Sequence, residues 1–593
     1  MMRSSNDLHQ SGKSRFVRVR QEASHVAYRS HVGAGAATRQ SRAARSLTAG
    51  VMLAALVPFS SAFAQMLPGT IPGGVEQEQQ RQQRRFEQQT APPRQQGPAV
   101  VGPSRAPSEL LKPGGPKFRL RGIKFDGESK FLSKEELDGA IAPYVGRNVD
   151  FSDLQKILAA INALYAEKGV VTGIATLPPQ EASGGIVHIK LTEGRLGKFS
   201  VTGRQQTSED FITQRVIPPK PGEVLDVPKM SRDVTWFNRT NDVQLRALLQ
   251  PGTTFGMTDV QLAVTEVPID TLQFFYDNQG VQSTGRYEGG LYYRRSGTLG
   301  IDDRFTFYGT KSNGNINGNV SYNVPINVWG GRLGVSYTQG AIKIIQGPFQ
   351  ALDVTGQSRL GSVNFSQPLF VNDSWLVQAS LAGTYGISQS DLSAFRITDD
   401  HSTKETTGFS VTHSGVDHSI TVAPAVNFVQ SHSMVTDIER PLTIYAATWN
   451  LFWRLPANFS IAVLGSGQYT QQRLLPGDQL FQIGGPTTVR GYPTNSVAGD
   501  SGFYSNFELH YNLSELVQGM DIYGFIDRGD VYSTFPSHTA LTSAGAGLSW
   551  KPWAPLMFEA SAGMPWQKIV PQQPRYQAYF RVIFRPLLLA DQH

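Results

Sequence analysis

Cysteine is absent from all 593 residues of the chain. That excludes a disulfide framework, a thiolate metal site and a cysteine nucleophile, and leaves the protein indifferent to an oxidising compartment. Long hydrophobic runs are missing as well. The mostly apolar stretch 47–59 falls short of the roughly 20 residues that a membrane-spanning helix needs, so no α-helical membrane protein is expected. Catalytic signatures are also lacking: there is no His-Glu-x-x-His, Gly-x-Ser-x-Gly or phosphate-loop pattern, no cofactor is implied, and the chain does not read as an enzyme. Of the 11 histidines, His401, His413, His418 and His432 fall in polar sequence that reads as loops, and no metal site is expected from them.

The formal charge of +7 points toward nucleic acid until its location is considered. Arg3, Lys13, Arg15, Arg18, Arg20, Arg29, Arg39, Arg42 and Arg45 stand against only Asp7 and Glu22, so the whole excess lies in residues 1–64. There the apolar stretch is followed by Ala62 and Ala64 at the two small-residue positions of a cleavage site. Residues 1–64 read as a secretory signal peptide. Once it is removed the remainder is formally neutral, and a nucleic-acid partner falls away.

Residues 65–116 are rich in Gln, Arg, Pro and Gly and cannot build a core. Within them 74–89 lacks proline and is rich in helix-compatible Glu, Gln and Arg, after which Pro92, Pro93, Pro98, Pro103 and Pro107 break regularity. This reads as a polar helix on a linker, with a disordered spacer as the alternative. Residues 117–194 and 195–268 then repeat one order, β-α-α-β-β, as two α+β modules. In the second helix of the first module Leu154, Ile157, Leu158, Ile161, Leu164 and Tyr165 form one apolar face, with Ser152 as the expected cap. Such a module leaves a sheet edge unpaired, where an extended peptide could add as a strand; a pair of spacer domains is the other reading.

From 269 to 584 the period changes to two. In 503–511, Phe503, Phe507, Leu509 and Tyr511 fall on one side and Tyr504, Asn506, Glu508 and His510 on the other. At about 20 residues per strand and connection, this half accommodates about 16 antiparallel strands, an all-β transmembrane barrel with a hydrated lumen. Residues 585–593 extend past the closing aromatic Phe584. Two segments stand out. The glycines and prolines of 484–493 preclude a regular strand and present Arg490; on a strand further along, Phe525, Asp527 and Gly529 share a face. If that face is the lumen, Arg490 and Asp527 are natural partners for a forked ion pair. The alternative is an arginine exposed in a turn.

Val489, Arg490, Gly491 and Tyr492, followed by Phe525-x-Asp527-x-Gly529, resemble the paired signature motifs of the outer-membrane superfamily of protein assembly factors and translocators. With two tandem modules similar to POTRA domains, the chain resembles the two-partner secretion transporters of the haemolysin secretion/activation type. That resemblance implies a Gram-negative outer-membrane pore with periplasmic POTRA domains. These would capture an unfolded partner exoprotein, and the barrel would pass it to the cell surface. It further implies a plug helix over 74–89, an Arg490–Asp527 pair pinning a lumenal loop, and contacts with outer-membrane lipids and the barrel assembly machinery. An insertase built from the same parts and a passive diffusion channel are the rivals.

Overall fold

The computed structural model describes residues 72–90, 97–102, 116–181, 183–347, 349–534, 536–569 and 573–590. The signal peptide expected over 1–64 lies outside them. The first element is helix α1, Pro72–Thr90, with side chains tied at three- and four-residue steps by Gln80 to Glu76, Arg81 to Glu78 and Gln83 to Glu87. Beyond it the linker forms a two-residue strand, β1 (Val100–Val101).

The first module runs β2 (Phe118–Arg119), β3 (Gly122–Asp126), α2 (Lys134–Ile141), β4 (Asn148–Val149), α3 (Phe151–Glu167), β5 (Ile174–Thr176) and β6 (Ile186–Thr192). Its main sheet has the order β3-β6-β5, with β3 parallel and β5 antiparallel to β6. Leu154, Ile157, Ile161 and Tyr165 of α3 are buried against it, as the periodicity predicts. The cap is different. Asp150, not Ser152, starts α3: its carboxylate accepts from the Ser152 and Asp153 amides and the Asp153 side chain bonds back. Asp150 is the residue with extended backbone, while Ser152 already lies inside the first turn.

The second module comprises β7 (Arg195–Thr202), α4 (Glu209–Thr213), α5 (Val227–Thr240), β8 (Gln244–Pro251) and β9 (Met257–Thr265). Its sheet order is β1-β8-β9-β7, so here the edge expected to be free is taken by the linker strand β1. This module seats on one end of the barrel. Ser208 donates its amide to the Gly300 carbonyl at 2.9 Å, Arg215 reaches the Asn327 carbonyl at 2.8 Å, and Trp236 donates to the Trp329 carbonyl at 3.0 Å. The loop leading into Ser208 is organised by Glu266, whose carboxylate accepts the amides of Gln205, Gln206 and Thr207. Burial alone would push the Glu266 carboxyl up; those amide bonds outweigh it and hold it below its ordinary value.

Sixteen antiparallel strands, from Asp270–Asp277 to Gln577–Phe584, close into a barrel. The first and last strands pair over only four residues, Phe274 with Phe584 through Asp277 with Arg581, and the seam holds a buried Arg581–Asp277 ion pair at 2.7 Å. Polarity runs opposite to that of a soluble sandwich. In the strand Ser501–Asn512, Phe503, Phe507 and Leu509 are exposed on the outer wall while Asn506 and Glu508 are buried inside, which suits a wall between lipid and a polar lumen. The four histidines expected in loops lie on barrel strands instead. His413 and His418 stand 3.1 Å apart at a strand turn, with Trp375 against His413 and Asp417 bonded to His418. Their polar neighbours misled the loop reading: Ser402 and Ser431 are polar because they face the lumen, while His413 and His418 share the outward face with Trp375 and Trp453.

Candidate functional site: a re-entrant loop on the barrel wall

Between the strands Phe459–Tyr469 and Ser501–Asn512 the chain turns back into the lumen. A short hairpin, Phe481–Ile483 paired with Val497–Gly499, gives this loop a rigid stem. Asp500 anchors its base by accepting the Leu474 and Leu475 amides at 3.2 and 2.8 Å. The tip is folded on itself: Thr488 accepts the Gly484 amide and donates to the Gly484 carbonyl, and Gly484 and Gly485 both have positive φ.

The tip delivers Arg490 to the wall. Its Nε and Nη2 donate to the two oxygens of Asp527 at 2.8 and 2.7 Å, and its backbone amide adds a third bond at 2.9 Å. Nη1 reaches Glu508 Oε1 at 2.6 Å, and the guanidinium lies 3.5 Å above the Phe525 ring. Arg490 is 3% and Asp527 0% exposed, so the pair is dry and forked, the geometry in which Arg is not interchangeable with Lys.

The remaining motif residues shape the contact. Val489 packs on Gly529, where a Cβ would come 2.9 Å from its methyl; Gly491, at φ +89°, meets the backbone of Gly563 just as closely. Tyr492 donates to the Thr542 carbonyl at 2.9 Å, and its own carbonyl accepts from Tyr579 at 3.0 Å. The structure thus places Val489, Arg490, Gly491, Tyr492, Phe525, Asp527 and Gly529 in one contact. Glu508, Gly563 and Tyr579 were not singled out from the sequence. The alternation of 503–511 does set Glu508 on the polar side, but nothing local pairs it with Arg490. Glu508 is held in turn by His510 at 3.0 Å, and His510 by Asp521 at 2.6 Å.

Helix α1 lies in the same lumen and grips the loop from the other side. Thr487 donates to Glu78 at 2.8 Å, Arg81 reaches the Gln482 carbonyl at 3.1 Å and Asn495 at 2.9 Å, and Arg85 reaches the Pro486 carbonyl at 2.6 Å. Near its other end Phe86 is fully buried among Phe275, Tyr292 and Tyr308 of the wall, with ring centroids 5.2–6.2 Å apart. A cavity of about 580 Å³ remains beside the helix, lined by Arg84, Arg359, Lys404 and Asp478 among others.

Two family models match the chain: the haemolysin secretion/activation protein ShlB/FhaC/HecB over 256–551 and the ShlB-type POTRA domain over 118–194. The chain belongs to this family of two-partner secretion transporters. Relatives include the outer membrane transporter CdiB of Dickeya dadantii, 25% identical over 514 residues, covering 80% of this chain and 86% of the relative. Another is the heme/hemopexin transporter protein HuxB of Haemophilus influenzae, 21% identical over 496 residues, with 79% and 87% covered. The solved structure of CdiB from Escherichia coli superposes with a TM-score of 0.63 at 20% identity, over 86% of this chain and 98% of that one, and shares the fold. The protein is therefore an outer-membrane transporter of a Gram-negative cell, with its POTRA region in the periplasm. The family is one of secretion channels, not of enzymes.

Proposed function

We propose that the chain exports one partner protein in an unfolded state, and that the described conformation is its closed form. In this reading α1 is the plug, the modules of 117–194 and 195–268 capture the partner, and the re-entrant loop stays pinned by Arg490 and Asp527 while the plug leaves. The outer apolar wall contacts membrane lipids, and the barrel assembly machinery inserts it.

The observation that carries the reading is the interlock of α1 with the loop. The helix is polar along nearly its whole length, so its contacts with the lumen are hydrogen bonds and ion pairs that water can replace. Apolar packing anchors it at only two residues, Val75 against Val281 and Ile342 and Phe86 in its aromatic cluster. A permanent core element would be expected to show the reverse proportion. Deleting 74–89 is expected to raise ion conductance in planar bilayers while leaving export in place. Deleting 117–268 is expected to abolish export of the partner. Undiminished export without those modules would overturn the capture role, and unchanged conductance without the helix would overturn the plug.

A further inference from the structure

In each module the second helix sets an asparagine against the edge strand of the sheet. In the first, Ala175 donates its amide to Asn162 Oδ1 at 2.8 Å, and Asn162 Nδ2 donates back to the Ala175 carbonyl at 3.4 Å. In the second, Asn238 brackets Leu245 in the same way, at 2.7 and 2.8 Å. The amide side chain thus stands in for a neighbouring strand at one residue of each edge.

Beyond that residue the two edges differ. β5 is three residues long and runs into Leu177-Pro178-Pro179, whose prolines carry no N–H to offer an incoming strand. β8 is eight residues long, and past Asn238 its edge carries β1 in parallel, Val100 beside Ala247 and Val101 beside Leu248. The Ala247 amide donates to the Ala99 carbonyl at 2.9 Å. Val100 packs against the buried cluster of the module, whereas Val101 faces outward. The second module therefore has a working strand-acceptor edge, and a two-residue piece of the chain's own linker sits in it.

That piece also controls the reach of the plug. Nine residues separate Thr90 at the end of α1 from Val100, and twenty-seven separate it from Phe118. Fully extended, these tethers span at most ~30 Å and ~90 Å. A 19-residue helix is about 28 Å long and must travel a comparable distance to clear the lumen. With β1 seated the helix end can travel about one helix length at most from Val100; with β1 released the same end has about three times that reach.

We propose that the edge of β8 is where an extended segment of the exported partner adds as a parallel strand. The linker strand is its resting occupant, and displacing it frees the plug. This rests on the transport reading above. The occupant is an unfolded segment with a small or β-branched apolar residue at the position of Val100 and backbone amides free to pair. Capture and opening are then one event, because the strand that binds is the strand that unlatches.

The absence of native cysteine allows a clean test on the full-length protein. The pair Val101→Cys and Leu248→Cys lies on the outward side of the two strands, and oxidation would staple the latch shut. A synthetic peptide with the sequence of residues 97–104 serves as the competing strand. Adding it should raise channel openings of the wild type and of the reduced variant, and leave the oxidised variant silent. Partner secretion by the oxidised variant should fall by about tenfold or more and return on reduction. Val100→Asp, which places a charge against the module core, should unseat the strand and raise openings without peptide. Equal behaviour of oxidised and reduced forms, or wild-type openings in Val100→Asp, would overturn the latch. If peptide and staple behave as expected but the wild type carries no partner across the membrane, the transport reading fails and the latch stands.

Discussion

Replacing Arg490 by alanine removes three side-chain hydrogen bonds to two carboxylates, one of which, Asp527, is completely buried. Deleting one member of a buried ion pair costs about 3–5 kcal/mol, chiefly because the partner charge is left unpaired in a dry site. Referred to the docking of the loop, that is a shift of roughly two to four orders of magnitude. The stem hairpin and Asp500 do not depend on Arg490, so the barrel should assemble while the tip detaches. A single cysteine introduced as Thr494→Cys, labelled with a membrane-impermeant maleimide, reports the tip directly; secretion reports the consequence. Three comparisons make the test strict. Asp527→Ala should release the tip less than Arg490→Ala, because Glu508 still holds the guanidinium. Adding Asp527→Ala to Arg490→Ala should recover about 1–3 kcal/mol by removing the orphaned carboxylate. Arg490→Lys should fail to rescue, since one ammonium cannot reproduce a fork to Asp527 and a third bond to Glu508. Slow labelling and normal secretion in Arg490→Ala, or full rescue by lysine, would refute the reasoning.

Phe86→Ala removes the one fully buried aromatic of the plug and should weaken its seating by about 3–5 kcal/mol, read as more frequent channel openings in bilayers. Gly491→Ala forces a side chain into a left-handed backbone position against Gly563 and should cost about 1–3 kcal/mol, read by the same cysteine labelling. Glu266 is held below its ordinary carboxyl value, so its contribution to ordering the loop at 205–207 is present above that ordinary value of 4.5 and is lost as pH falls through its lower, folded one. Proteolysis of that loop should accordingly rise in acid, and Glu266→Gln should be cleaved at an elevated, pH-independent rate.

Much of the fold was legible because its signals are local. The switch from three- and four-residue steps in α3 to two-residue steps in the strands marks where modules give way to barrel, and about 16 strands follows from length. The site was half legible. Glycines and prolines announce a loop at 484–493, and alternation sets Phe525, Asp527 and Gly529 on one face. Polarity alone misplaced the four histidines, since a polar run reads as loop whenever the lumen is ignored. Ser152 misled for a smaller reason: two cap-type residues two positions apart, Asp150 and Ser152, differ in which one keeps extended backbone.

What the sequence determined unaided was therefore periodic or compositional: the cysteine-free, exportable character, the repeated modules, the alternating wall and the residues facing inward. Only the tertiary structure decided the partners. Arg490 meets Glu508 and Asp527, 18 and 37 residues away, and Glu78 meets Thr487 across 409. Val100 finds the edge of β8 and occupies it, which nothing in the sequence of the second module suggests. Periodicity is set by the geometry of neighbouring residues. These pairings follow instead from closing a cylinder and drying its interior, which brings distant charges together where water can no longer satisfy them.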